Sequence, residues 1–361
     1  MNKKIVIAAG GTGGHLFPAE SLALSLRETI PNLDICFMGK GLSTTPRFSR
    51  SFPFQDISAA NLSKNPMKLV VNSLKMAYGT ANSLRFLRAF RPDLVVGFGS
   101  YHVVPTLLAA SLLQLPIILH ECNAIPGKVN RLFSRKAMWT GLFFNQAKEK
   151  LAGMTRQVDI PMRKEMKNPL LRPNRIEALN YYGLEPNRKT ILVFGGSQGA
   201  LGVNKLFTEA LTFMDCQQLQ VLHCTGSVDD MARWYQNRGI LSHVTAFEPK
   251  MHYAYAAADC VIARSGASSI AETMMYELPT IFIPYPHAAD NHQYHNARFV
   301  VETIGAGVLH EESTLHPELL ANEINTILHD NTLAMMKSRL NRYNRETKID
   351  DFCDLIGQFL S

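Results

Sequence analysis

The amino-acid sequence predicts an α/β protein of two doubly wound, Rossmann-like domains with a cleft between them, and three observations lead there. Short apolar runs alternate with helical periodicities through the first half of the chain. A strand, a glycine turn and a helix open that series at residues 4–28, and a second such unit opens another series at 190–214. The length of 361 residues suits two cores better than one. Strands and helices in alternation imply right-handed crossovers and parallel sheets covered on both faces. Such sheets bind ligands at the carboxyl ends of their strands, and the cleft between two of them is the expected site.

The first strand, 4–8, runs into Gly10-Gly11-Thr12-Gly13-Gly14-His15, and Pro18 is tolerated in the first turn of the helix expected at 16–28. Bare glycine backbone lets a ligand approach closely, and the helix N-terminus carries roughly half a positive charge. No Lys-Ser/Thr follows the last glycine and the dinucleotide spacing is absent, so neither common nucleotide fingerprint applies. His15, on the lip of this turn, is placed to touch whatever the turn holds. Further strands are expected at 33–38, 52–57, 93–98, 116–120 and 137–142, with helices at 66–90, 103–113 and 127–134. Gly97-Phe98-Gly99-Ser100-Tyr101 and His120-Glu121-Cys122-Asn123 close two of these strands at their ligand-binding ends. An ionisable Glu121 after a buried run is not ordinary core, and it rivals His15 as a proton acceptor.

A polar, proline-bearing stretch at 159–187 follows, and Arg163 within it is a candidate for a diphosphate. The second series begins with a strand at 190–194, the turn Gly195-Gly196-Ser197-Gln198-Gly199 and a helix at 200–214. Strands are expected at 220–224, 244–247, 259–263 and 280–284, and helices at 317–329, 333–345 and 350–360. In Arg264-Ser265-Gly266-Ala267-Ser268-Ser269 a strand ends and a helix starts with hydroxyls in its first turn, which makes an anion site. Plain helix capping is the blander reading of those serines. Glu272 lies one turn beyond Ser268, where a carboxylate accepts hydrogen bonds from the two vicinal hydroxyls of a ribose. Asp290-Asn291-His292-Gln293 opens a polar loop suited to sugar hydroxyls, and its histidines lack the spacing of a metal site.

Hydrophobic residues at 46% and charged residues at 19% describe a soluble globular chain. Met1-Asn2-Lys3-Lys4 runs straight into a strand without the features of a signal peptide, which predicts a cytoplasmic protein. The most apolar segment, 103–119, is interrupted by Pro105 and Pro116 and reads as a buried helix and strand rather than a membrane span. The six cysteines have no paired spacing, so neither zinc nor a disulfide framework is expected. A net charge of +7 favours an anionic partner, and the lack of a basic block with interleaved aromatics argues against nucleic acid. In the helix at 66–90, Met67, Val70, Val71, Leu74 and Tyr78 lie near Lys64, Lys68, Lys75, Arg85 and Arg88. That combination predicts peripheral attachment to an anionic membrane surface, with core packing accounting for part of the apolar stripe.

Gly-Gly-Thr-Gly-Gly-His-x-Phe-Pro, His-Glu-x-Asn, Pro-x-Arg, Gly-Gly-Ser-Gln-Gly, Arg-Ser-Gly-Ala and a His-Gln-x-x-Asn-Ala ending at Ala297 occur here in one order and spacing. In this the chain resembles the bacterial MurG-type glycosyltransferases, which add N-acetylglucosamine to undecaprenyl-diphospho-muramoyl-pentapeptide (lipid I) to form lipid II. The resemblance implies a GT-B fold, with residues 1–162 as acceptor and membrane-side domain, 163–340 as UDP-sugar domain, and 341–361 packing back on the first. It implies UDP-N-acetylglucosamine as donor, lipid I as acceptor, inversion at the anomeric carbon, no cofactor and a place on the cytoplasmic face of the membrane. Thr12, Gly13, Gly14, Asn123, Arg163, Ser197, Ala267, Ser268, Ser269, Glu272 and Gln293 match donor-contacting positions. His15, Tyr101, Glu121 and Asn130 match positions near the acceptor and the reacting centre. Arg264, His292 and Glu248, the last in the region that cradles uracil, join them as binding candidates. The chain departs from the pattern at Asp159-Ile160, Cys122, Ser100, Ser268-Ser269 and Glu248. A UDP-N-acetylglucosamine 2-epimerase and a non-catalytic nucleotide-sugar-binding subunit are the alternatives that share the donor.

Overall fold

The computed structural model describes residues 2–11, 13–45, 51–61, 65–196, 199–227 and 230–361. Thr12, Lys64 and Ser197 therefore lie outside the described residues. The chain divides into two compact units, Met1–Arg163 with Ile349–Ser361, and Lys164–Lys348.

In the first unit the described residues form a seven-stranded sheet in the order β3-β2-β1-β4-β5-β6-β7. Its strands are β1 (Lys4–Ala8), β2 (Asp34–Gly39), β3 (Phe54–Asp56), β4 (Leu94–Gly97), β5 (Ile117–Glu121), β6 (Trp139–Leu142) and β7 (Thr155–Gln157), and every pairing is parallel. The helices are α1 (Gly13–Thr29), α2 (Pro66–Phe90), α3 (Val104–Leu112) and α4 (Lys128–Phe133). Alternation along β1 serves two cores, as a doubly covered sheet requires. Ile5 and Ile7 join Leu16, Leu22 and Leu26 of α1, whereas Val6 and Ala8 join Leu87 of α2 and Leu107 of α3. The face with Ile5 and Ile7 is completed from the far end of the chain by Phe352 and Ile356. Asp159 fastens that end, because its Oδ1 accepts from Phe352 N at 2.8 Å and its own N–H donates to Asp350 O at 3.0 Å. One of the departures from the family pattern thus caps the chain's last helix.

The second unit holds a six-stranded parallel sheet, β10-β9-β8-β11-β12-β13, among its described residues. The strands are β8 (Lys189–Phe194), β9 (Leu219–Cys224), β10 (Leu241–Thr245), β11 (Cys260–Ala263), β12 (Thr280–Phe282) and β13 (Gly307–Leu309). Its helices are α5 (Lys164–Lys167), α6 (Arg175–Tyr182), α7 (Leu201–Ala210), α8 (Met231–Gln236), α9 (Met251–Ala257), α10 (Ala267–Met275), α11 (His292–Arg298), α12 (Pro317–Leu328) and α13 (Asp330–Glu346). The last helix, α14 (Phe352–Leu360), belongs to the first unit. Both sheets follow the same course, with the order reversing between β1 and β4 in one and between β8 and β11 in the other. Those two reversals are the crevices where such sheets bind ligands.

Several elements differ from expectation. The polar stretch at 159–187 contains α6, started by a capping box in which Asn174 Oδ1 accepts from Glu177 N and Glu177 Oε2 from Asn174 N. The strand expected at 244–247 lies earlier, at Leu241–Thr245, where half-buried residues blunt the apolar signal. Three-residue β7 and β13 are too short for a periodicity to mark.

Candidate active site

The carboxyl ends of β1 and β4 adjoin, since Ala8 pairs with Gly97 and Phe98 N donates to Ala8 O at 3.0 Å. This brings the first glycine turn against Gly99-Ser100-Tyr101. Gly11 has φ +89°, and a Cβ there would stand 2.7 Å from His102 Nδ1, so the turn admits only glycine. The ring of His102 therefore lies on the turn, with Tyr101 tilted against it at 3.9 Å between centroids. Ser100 occupies φ +70° and ψ +149°, a region that favours glycine. Its Oγ is 2.7 Å from His102 Nδ1. Burial, with Lys40 and His15 nearby, holds His102 down to about 4 and hence neutral.

His15 lies in the first turn of α1, half-buried, with Nδ1 2.8 Å from Phe98 O. A carbonyl only accepts, so Nδ1 carries the proton and the neutral ring has its lone pair on Nε2. That is the tautomer of a ring nitrogen that accepts a proton from a substrate. Gly14 beside it is exposed and Gly13 half-buried.

Glu121, at the end of β5, is 2% exposed and is surrounded by donors. Its Oε1 accepts from Asn123 N at 2.9 Å and Asn123 Nδ2 at 3.2 Å. Its Oε2 accepts from Gly127 N and Asn130 Nδ2, both at 2.8 Å. The carboxylate thus ties the 121–127 loop to α4, and Asn130 Oδ1 is buried with no hydrogen-bond partner among the described residues. Arg163, at the end of the first unit's first segment, is exposed.

In the second unit, β8 and β11 adjoin through Phe194 paired with Ala263. The turn after β8 ends at Gly199, φ +74°, where a Cβ would meet Thr225 O at 2.7 Å. After β11, Gly266 is the N-cap of α10 and offers no side chain to its amides. Ser265 Oγ and Ser268 Oγ are buried without a hydrogen-bond partner among the described residues. These hydroxyls lie beside the uncapped amides of a nine-residue helix, and buried polar groups of this kind ordinarily have a partner. Ala267 is buried and Ser269 half-buried in the same turn. Glu272 follows one turn later, half-buried, and its Oε2 accepts from Tyr255 Oη at 2.7 Å.

Arg264 is 8% exposed, donating to Ile283 O and Pro284 O and pairing with Glu312 Oε2 at 2.5 Å. It braces the loop after β12. Gln293 Oε1 accepts from Tyr285 N at 2.9 Å, and His292 Nδ1 is 2.8 Å from Ala289 O. Glu248 is 6% exposed and its Oε1 accepts from Lys250 N at 2.6 Å, at the start of α9. Three contributors were not assigned from the sequence. His102 and Tyr255 stand outside every motif, and Asn296, within one, donates from Nδ2 to Ser265 O at 3.3 Å. The signal for His102 was the departure at Ser100, two residues earlier.

Residues 5–140 match the glycosyltransferase family 28 N-terminal domain, and residues 190–351 match the glycosyltransferase family 28 C-terminal domain. The chain is 43% identical over 361 residues to a UDP-N-acetylglucosamine–N-acetylmuramyl-(pentapeptide) pyrophosphoryl-undecaprenol N-acetylglucosamine transferase of Protochlamydia amoebophila, covering 99% of this chain and 96% of that one. It is 34% identical to the Chlamydia felis protein of the same name, covering 99% of each. Among solved structures it resembles Acinetobacter baumannii MurG, with a TM-score of 0.75 and 25% identity over 99% of each chain. A UDP-glucose: anthocyanidin 3-O-glucosyltransferase in complex with UDP shares the fold, with a TM-score of 0.67 at 14% identity over 100% of this chain and 99% of that one.

Proposed function

The chain belongs to glycosyltransferase family 28, and from that premise we propose that it moves N-acetylglucosamine from UDP to the muramoyl 4-hydroxyl of undecaprenyl-diphospho-muramoyl-pentapeptide. The observation that carries the donor half is the pair of buried hydroxyls, Ser265 and Ser268, which have no hydrogen-bond partner among the described residues and lie at the amide end of α10. A diphosphate there accepts from both the hydroxyls and the backbone, and the helix dipole stabilises the negative charge that grows as UDP departs. Glu272, one turn on, takes the ribose hydroxyls. Arg264 acts indirectly, by bracing the loop that Gln293 also holds through Tyr285 N.

His15 serves the acceptor half. Its Nε2 removes the proton from the 4-hydroxyl as the oxygen attacks the anomeric carbon, and the bond from that carbon to the UDP oxygen breaks with inversion. Phe98 O, holding Nδ1–H, stabilises the imidazolium that results. Glu121 shapes the acceptor loop through its four donors.

The lipid acceptor requires a place at the bilayer, and α2 supplies it. Met67, Val70, Val71, Leu74 and Tyr78 are 82%, 61%, 50%, 66% and 64% exposed, so core packing accounts for none of the five. Lys68 and Lys75 flank them, and no helix among the described residues is long and apolar enough to cross a membrane. The helix lies in the headgroup region with its apolar side down.

Labelled UDP-N-acetylglucosamine incubated with a lipid I analogue tests the activity. Label in a disaccharide lipid is the expected result. Conversion of the donor to its 2-epimer without acceptor, or donor binding with no transfer, would overturn it in favour of an epimerase or a binding subunit.

A further inference from the structure

We propose that Tyr255 is a positioning residue that holds the Glu272 carboxylate in the orientation required by a ribose, and so sets the preference for ribonucleotide over 2′-deoxyribonucleotide donors. The inference rests on the reading of Glu272 as the ribose acceptor.

The phenol comes from α9, not from α10 or its turn, and it donates from Oη to Glu272 Oε2 at 2.7 Å. Tyr255 is 1% exposed. Its ring packs edge-on against Phe194 at 6.0 Å and tilted against Tyr276 at 5.4 Å, and close packing of a buried ring restricts its motion. Burial, then the Glu272 charge, push its hydroxyl well above the ordinary tyrosine range, which keeps it a donor. A glutamate side chain turns about three bonds, and ordering it on nucleotide binding costs rotamer freedom. A fixed donor on one oxygen removes most of that freedom before the ligand arrives. It also sets the plane in which the remaining lone pairs of the carboxylate meet two vicinal hydroxyls, a contact that depends on angle as much as on distance. The ring alone would fill the same space as phenylalanine, so packing does not call for the hydroxyl.

Equilibrium titration of UDP and 2′-deoxy-UDP against the whole chain, its Tyr255→Phe variant and its Glu272→Ala variant separates the possibilities. Tyr255→Phe removes one oxygen and should weaken UDP by about tenfold, the order of the rotamer freedom that Glu272 regains, while leaving 2′-deoxy-UDP within about twofold. The ratio of the two affinities therefore collapses. Equal weakening of both nucleotides would make the phenol a packing group and overturn the proposal. Unchanged affinity for both would overturn it as well. Glu272→Ala distinguishes the two levels: if it keeps the preference for UDP, the ribose reading itself fails, and if it loses the preference while Tyr255→Phe keeps it, only the positioning role fails.

Discussion

Ser100 places a side chain where the backbone favours none, and its hydroxyl is bonded to the imidazole that lies on the first glycine turn. The conformation costs on the order of 1–3 kcal/mol for a residue with a Cβ. Ser100→Ala keeps the strain and loses the hydrogen bond, whereas Ser100→Gly loses both. Urea unfolding should therefore rank alanine lowest, about 0.5–1.5 kcal/mol below the natural chain, with glycine between it and the natural chain or above both. A glycine variant less stable than the alanine variant would show that the strain is not real. A second prediction concerns proton transfer. His15→Ala should reduce turnover by about 10²–10⁴-fold with UDP affinity intact, as removal of a general base requires. Glu121→Gln, whose carboxylate accepts from Asn123, Gly127 and Asn130, should instead weaken acceptor binding and thermal stability together. Normal turnover for His15→Ala beside loss in Glu121→Gln would exchange the roles. His15 and Glu121 were visible in the sequence because a motif ends at a strand terminus. Their different surroundings were not, because these depend on Phe98 O meeting Nδ1 and on four donors converging from a loop and a helix.

At the level of elements, α2 carries an amphipathic pattern whose apolar residues Met67, Val70, Val71 and Leu74 are exposed among the described residues, while Leu87 near its end is buried. Leu74→Glu with Val70→Glu places two carboxylates on that side. It should abolish co-sedimentation with vesicles containing anionic lipid, and circular dichroism should show the helix content kept. For the natural chain, sedimentation should fall as salt rises from about 50 to 500 mM, because Lys68 and Lys75 contribute through a screened attraction. Binding that survives both treatments would remove α2 from the interface. Periodicity located this helix but left open which side meets the core, since an exposed stripe and a buried one have the same spacing. The same limit explains α6, hidden in a proline-rich stretch whose start was marked only by Asn174 and Glu177. It also explains β10, whose five residues are all half-buried. Strands buried on both faces, such as β1, β5 and β8, were legible because each holds an unbroken apolar run with its polar residues only at one end.

Over the whole molecule, the second unit is a single continuous segment, while the first is made from both ends of the chain. Residues 164–348 contain all of the second sheet together with Ser265, Ser268, Glu272, Tyr255 and Gln293. That segment, made alone, should unfold cooperatively and bind UDP within about tenfold of the full chain, because Ser265, Ser268 and Glu272, proposed to hold the diphosphate and the ribose, all lie within it, and a larger loss would give Arg163, one residue outside, a share of the diphosphate. The segment 1–163 should behave differently. It lacks Phe352, which stands T-shaped against His120 at 4.7 Å, Trp139 at 5.7 Å and Phe98 at 6.2 Å, and it lacks the fully buried Ile356. Loss of one such phenylalanine costs about 3–5 kcal/mol, a large part of the roughly 5–15 kcal/mol that holds a domain together. Removing the helix also strips Asp159 of the backbone donor it caps. Heat denaturation of 1–163 should consequently be broad and begin well below that of the intact chain, with exposed apolar surface that binds a hydrophobic dye. A sharp transition at the temperature of the full protein would mean that α14 is an ornament to the first unit, and that its core closes on α1 and β1 without help from the chain's far end.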